Sequence, residues 1–98
     1  MTTSNEPIRE ARPMKVATAF ERVLDELTKA RNRFAKFHSA HEGIAVVEEE
    51  FLELREVVYG IKWDVATRKQ EKEALEMEAR QLAAMAIRFM IDVCEEPK

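Results

Sequence analysis

The chain has 98 residues, 46% hydrophobic and 36% charged, with a net charge of −3 and a single cysteine. That length suits one small domain that would gain from assembly, because a core of this size buries only about two-thirds of its unfolded surface. Interspersed charge excludes the basic footprint of a duplex-binding protein, and one cysteine excludes both an intrachain disulfide and a cysteine zinc cluster. Cys94 alone fits a reducing cytosol. No apolar run approaches the roughly 20 residues of a membrane span, and the N-terminus lacks the apolar core of a signal peptide, so a soluble cytoplasmic protein is expected. Two glycines and an abundance of Ala, Leu, Glu, Lys and Arg favour an all-α fold.

Residues 1–12, MTTSNEPIREAR, are small and polar without periodicity and read as a flexible tail ahead of a single helical domain over 13–95. Pro13 can open a helix because its missing N–H falls where no intrahelical bond is needed. Ala17, Phe20, Leu24, Leu27, Arg31 and Phe34 then form one stripe, predicting a first helix over about 13–37. Ser39 with Glu42 makes a capping box that starts a second helix over about 40–59. Gly60 is placed to end that helix in the left-handed conformation, and Gly43 inside it suggests close approach of another backbone. Residues 61–70 form a connector, with Asp64 or Thr67 as the next N-cap, and a third helix is expected over about 67–95.

The segment LAAMAIRFMIDV, residues 82–93, is apolar nearly all round and must be covered on more than one side. Three helices of one chain would struggle to do that. The pattern therefore predicts an antiparallel helix hairpin within a three-helix chain, assembled as a helical-bundle homodimer or a dimer of dimers through this segment.

Projected at 100° per residue, Ile44, Val47, Phe51, Leu54 and Val58 make one stripe of the second helix. Val46, Glu50, Glu53 and Val57 make an adjacent one, in which two carboxylates lie between valines. Glu48 and Glu49 turn progressively outward. Ala74, Glu78, Gln81 and Met85 repeat that spacing on the third helix. An antiparallel hairpin that turns in the 61–70 connector then sets Glu50 level with Gln81 and Glu53 level with Glu78. Carboxylates crowded into an apolar seam are costly to ionise, and a hard cation resolves both the desolvation and the repulsion. Magnesium, or manganese in its place, accepts a few carboxylate oxygens and commonly bridges to phosphates. The alternative is an ordinary solvated or lysine-paired helix face.

Glu49, Glu50, Phe51, Leu52 and Glu53 read EExxE, and Glu78 opens a segment matching ExxD up to its last position. These motifs, with SAHEGIAVVEEEFLEL and EARQLAAMAIRF, resemble the MazG-like all-α nucleoside triphosphate pyrophosphohydrolases, in particular short phage and bacterial proteins labelled MazG-like. The likeness covers about residues 37–93. It implies a magnesium-dependent helical dimer that splits a nucleoside triphosphate into monophosphate and pyrophosphate. By position, Glu50, Glu53 and Glu78 would hold the metal, with Gln81 completing the set, and Glu49 or Glu53 would be the base. Gln81 stands where ExxD requires aspartate: its carbonyl can ligate magnesium but brings no charge and no basicity. Leu52 stands where a polar residue is expected.

Arg88, Lys62 and Arg68 are candidate phosphate contacts, with a salt bridge or snorkelling as the alternative for Arg88 and a loose solvated turn as that for the connector. Asp92 is too far along its helix to share the ion and suits a salt bridge or cap. His38 and His41 flank the cap without a triad or zinc pattern. Two function classes follow: a MazG-like pyrophosphohydrolase or nucleotide-binding relative, and a catalytically silent helical dimer that acts as an interaction module.

Overall fold

The computed structural model describes residues 14–63 and 68–95. Three α-helices, α1 (Val16–Arg33), α2 (Ala40–Gly60) and α3 (Lys69–Phe89), are followed by a π-helical turn, Met90–Cys94. Among the described residues there is no strand. Pro13, the expected tail, and Asp64 and Thr67, the expected N-caps, lie outside the described residues.

Helix α2 starts as its capping residues dictate. Ser39 Oγ accepts from Glu42 N at 3.1 Å, satisfying one of the helix's free donors. The Glu42 carboxylate reaches back one residue further than a capping box requires and accepts from His38 N. At its other end α2 keeps Gly60 as its last residue, no glycine has positive φ, and Ile61 turns extended. Gly60 therefore does not terminate α2 through a left-handed conformation. Trp63 folds back instead, its Nε1 donating to Val58 O at 3.0 Å. Helix α3 takes Arg68, and not the expected Asp64 or Thr67, as its N-cap, and the Arg68 N–H donates to Glu71 Oε1 at 2.9 Å.

Both α1 and α2 pack on α3, so α3 lies between them. The α2–α3 pair is antiparallel, because Gly43 near the start of α2 meets Phe89 at the end of α3. A Cβ on Gly43 would stand 2.7 Å from Phe89 Cδ2 and 3.1 Å from Phe37 Cδ2. Close approach is the reason for this glycine, and what approaches is a pair of aromatic rings rather than a backbone.

The core gathers Leu27 and Ala30 of α1, Phe37 of the α1–α2 connector, and Ala84 and Met85 of α3, with Val46, Val47, Ile87 and Phe89 against it. On α1 the face turned to α3 is thus Val23, Leu27 and Ala30, not the whole expected stripe. Phe20, Leu24 and Phe34 remain 71%, 61% and 59% exposed. Helix α1 also ends four residues early, at Arg33: Phe34 is extended, and Phe37 is drawn into the core. No proline or glycine marks this stop, so packing rather than local propensity ends the helix.

The apolar 82–93 segment is covered largely within the chain. Ala84, Met85 and Arg88 are buried, and of its other residues only Ala86 is exposed outside the short stretch at Met90. Flanking by α1 and α2 on either side satisfies it. The unpartnered apolar surface lies elsewhere, at Val16, Phe20, Leu24 and Phe34, and on α2 at Ile44, Phe51, Leu52 and Tyr59.

Arg88 and Asp92 fasten the α1–α2 connector to the end of α3. The Arg88 guanidinium lies 4.1 Å over the Phe37 ring, donates to Ala35 O, and sits 3.6 Å from Asp92 Oδ2. The same Asp92 oxygen accepts from Phe37 N at 3.1 Å. Both side chains are almost fully buried. A buried ion pair is tolerated only when its remaining hydrogen-bonding capacity is met, and here backbone groups of the connector meet much of it.

Candidate functional site

The four-three-four spacing of Val46, Glu50, Glu53 and Val57 turns both glutamates toward α3, whose own spacing returns Glu78 to meet them. One carboxylate oxygen from each of Glu50, Glu53 and Glu78 lies within 4.8 Å of the others. Glu50 and Glu78 are half-buried, and Glu53 stands at the exposed edge. Glu50 Oε1 and Glu78 Oε1 are both sealed from solvent without a hydrogen-bond partner. Buried polar atoms are rarely left so, because the lost hydration is not replaced.

Burial pushes the Glu50 carboxyl above the ordinary carboxylate range, and the charges of Glu53, Glu78, Glu49 and Glu26 add to the effect. Glu78 is raised for the same first reason, then by the Glu53 charge and a side-chain hydrogen bond with Glu53. A divalent cation would supply partners to the sealed oxygens and remove the repulsion. Each of the three residues can offer one carboxylate oxygen to such an ion.

Beside the triad opens a cleft of about 570 Å³, lined by Glu49, Glu50 and Gln81 on the α2–α3 side and by Glu26, Lys29 and Arg33 on α1. Lys36 and the rings of Phe34 and Phe37 complete the wall from the connector. The volume is in the range of small-molecule sites. Gln81 thus shares a cleft with Glu50, and Glu49, exposed on its helix, faces the same space.

The expected phosphate contacts are placed differently. Arg88 borders the cleft, but its guanidinium is committed to Ala35, Phe37 and Asp92. Lys62 follows the far end of α2, and Arg68 precedes Glu78 by ten residues, about 15 Å along the axis. Neither lines the cleft. The other cationic groups that line it, Lys29 and Arg33 of α1 and Lys36 of the connector, were missed because that stretch carries no recognisable motif. The only sign was the basic run KARNRFAK at its end.

Arg80 and Glu76 form a second polar group on α3. Glu76 is 3.3 Å from Arg80 and 3.6 Å from Arg22 of α1, an arrangement that ties α1 to α3. No family model, curated protein or solved structure matches the chain.

Proposed function

We propose that this chain is a MazG-like, magnesium-dependent nucleoside triphosphate pyrophosphohydrolase or a nucleotide-binding relative of one. The observation that carries the reading is the convergence of Glu50, Glu53 and Glu78 from two helices beside a cleft of nucleotide size. Glu50, Glu53 and Glu78 would hold the cation, and the Gln81 carbonyl can add a neutral oxygen. Magnesium bound there supplies positive charge against the phosphate oxygens of the substrate.

Glu49 is the better-placed base, because its carboxylate borders the cleft while that of Glu53 belongs to the triad. It would take a proton from a water whose oxygen forms a bond to the α-phosphorus. The bond from that phosphorus to the bridging oxygen breaks, and pyrophosphate leaves with the electron pair.

Gln81 favours a second reading, a helical interaction module that keeps the scaffold without turnover. Calorimetric titration with magnesium and with manganese, alongside pyrophosphate release from a panel of nucleoside triphosphates, separates the two. The first reading expects metal heat that Glu50→Gln abolishes, and turnover that Gln81→Asp raises. Metal heat without turnover in either form supports the module, and no metal heat removes the first reading.

Self-association belongs to the same proposal. Monomers seldom expose apolar patches beyond a few hundred Å², and the faces around Phe20 and Leu24 and around Ile44, Phe51 and Tyr59 suit burial against a second copy. Sedimentation equilibrium should give a dimer or its multiple, and Phe20→Ser with Leu24→Ser should give a folded monomer. A monomeric wild-type protein would refute the assembly.

A further inference from the structure

The two walls of the cleft differ in charge. Glu42, Glu49 and Glu50 stand on the α2 side, while the α1 side carries Lys29, Arg33 and Lys36 beside one carboxylate, Glu26. Lys29 pairs outside this arrangement, 3.2 Å from Asp25 on its own helix. Among the described residues no ion pair joins Arg33 or Lys36 to Glu49 or Glu50. A cleft that only filled space would be expected to let such groups meet, since long side chains close on an opposite charge where geometry permits. Here the separation leaves a volume of about 570 Å³ between a carboxylate cluster and a pair of cations.

A ligand that spans this gap must be anionic at the α1 end and carry a cation at the α2–α3 end. A phosphoanhydride chain does both. Its oxygens chelate a divalent ion that the carboxylates can hold, and its remaining charge is matched by guanidinium and ammonium donors. A monoanion without a chelated cation would meet Glu49 and Glu50 unfavourably.

We infer that Arg33 and Lys36 are the phosphate-holding groups of this chain, gripping the phosphoanhydride chain of a nucleotide or of pyrophosphate across the cleft from Glu50. The inference deepens the function proposed above and rests on its placement of the cation. Arg33 suits the task in geometry: its guanidinium is already steadied 5.9 Å from the Phe34 ring, and its planar fork matches two phosphate oxygens. Lys36 sits in the connector that Arg88 and Asp92 fasten, so its backbone is fixed although its side chain is exposed.

The test is calorimetric binding of pyrophosphate, orthophosphate and a non-hydrolysable nucleoside triphosphate, each with magnesium and each in chelator. The proteins compared are the wild type, Arg33→Gln with Lys36→Gln, and a control with the same charge change outside the cleft, Lys62→Gln with Lys72→Gln. The expected result is that pyrophosphate and the triphosphate bind better than orthophosphate and that magnesium strengthens them. The cleft variant should lose on the order of tenfold in affinity for each side chain removed, while the control keeps most of its affinity.

Magnesium heat in the absence of phosphate should be the same in all three proteins. Pyrophosphate bound equally by wild type and cleft variant overturns the inference, as does an equal loss in the control or the absence of any pyrophosphate binding. If magnesium gives no heat while pyrophosphate still binds through Arg33 and Lys36, this inference stands and the metal assignment falls.

Discussion

Replacing Arg88 by alanine should lower the folding stability by about 3–5 kcal/mol, a large part of the roughly 5–15 kcal/mol available to a domain of this kind. The change leaves Asp92 buried without its cation, removes the donor to Ala35 O, and uncovers the Phe37 ring. Asp92→Ala should cost a similar amount, because Phe37 N then has no acceptor inside the fold. The double change Arg88→Met with Asp92→Leu should recover part of the loss, since an apolar pair carries no buried charge although Phe37 N and Ala35 O lose their side-chain partners. Urea unfolding of Arg88→Ala, Asp92→Ala and their combination closes a double-mutant cycle that measures the coupling. A fully stable Arg88→Ala protein that only binds nucleotide less well would return Arg88 to the phosphate role suggested by its position in the sequence.

The second large effect has opposite signs with and without metal. In the metal-free protein Glu78→Gln should raise the melting temperature at neutral pH. The amide removes one of the charges that burial and Glu53 oppose. A gain of about 1 kcal/mol corresponds to roughly 4–8 °C in a domain this small. The sign with pH follows from the raised pKa of Glu50 and Glu78. A raised carboxyl favours the folded state while protonated, so its contribution is fully present below the unfolded value near pH 4.3. It is lost as pH climbs through the raised folded value. The gap between variant and wild type should therefore be small near pH 4 and widest at pH 7. Added magnesium should raise the wild-type melting temperature and leave that of Glu78→Gln nearly unchanged. A variant that melts below the metal-free wild type at pH 7 would mean that the triad contributes to the fold through contacts and not through charge.

The carboxylate triad was legible because helical periodicity fixes angle along each helix and an antiparallel hairpin fixes height. Glu50, Glu53 and Glu78 needed nothing beyond those two regularities. The Ser39 start of α2 was legible for a similar reason, since a cap is local chemistry. The stop of α1 was not. Phe34, Ala35, Lys36 and Phe37 continue a helical pattern, and what pulls them straight is a contact with Arg88 and Asp92, more than 50 residues away. That early stop is what lines the cleft with Lys36 and Phe37, so the same long-range contact hid the cationic wall. The role of Gly43 was half legible: a glycine implies approach, but the approaching groups, Phe89 and Phe37, come from segments whose meeting no local rule specifies.

The buried core lies toward one end of the molecule, where Leu27, Ala30, Phe37, Ala84 and Met85 meet, while among the described residues the α2–α3 connector end has Ile61 buried beside half-buried Val57, Val58, Ala74 and Leu75. Local stability follows such contact density, so amide protons of the core end should exchange only with global unfolding and those near the turn through smaller openings. Glu50 and Glu53 stand at the boundary between these regimes. An ion or phosphate gripped there would join a firm segment to a looser one, and ordering the looser one would be part of the cost of every binding event.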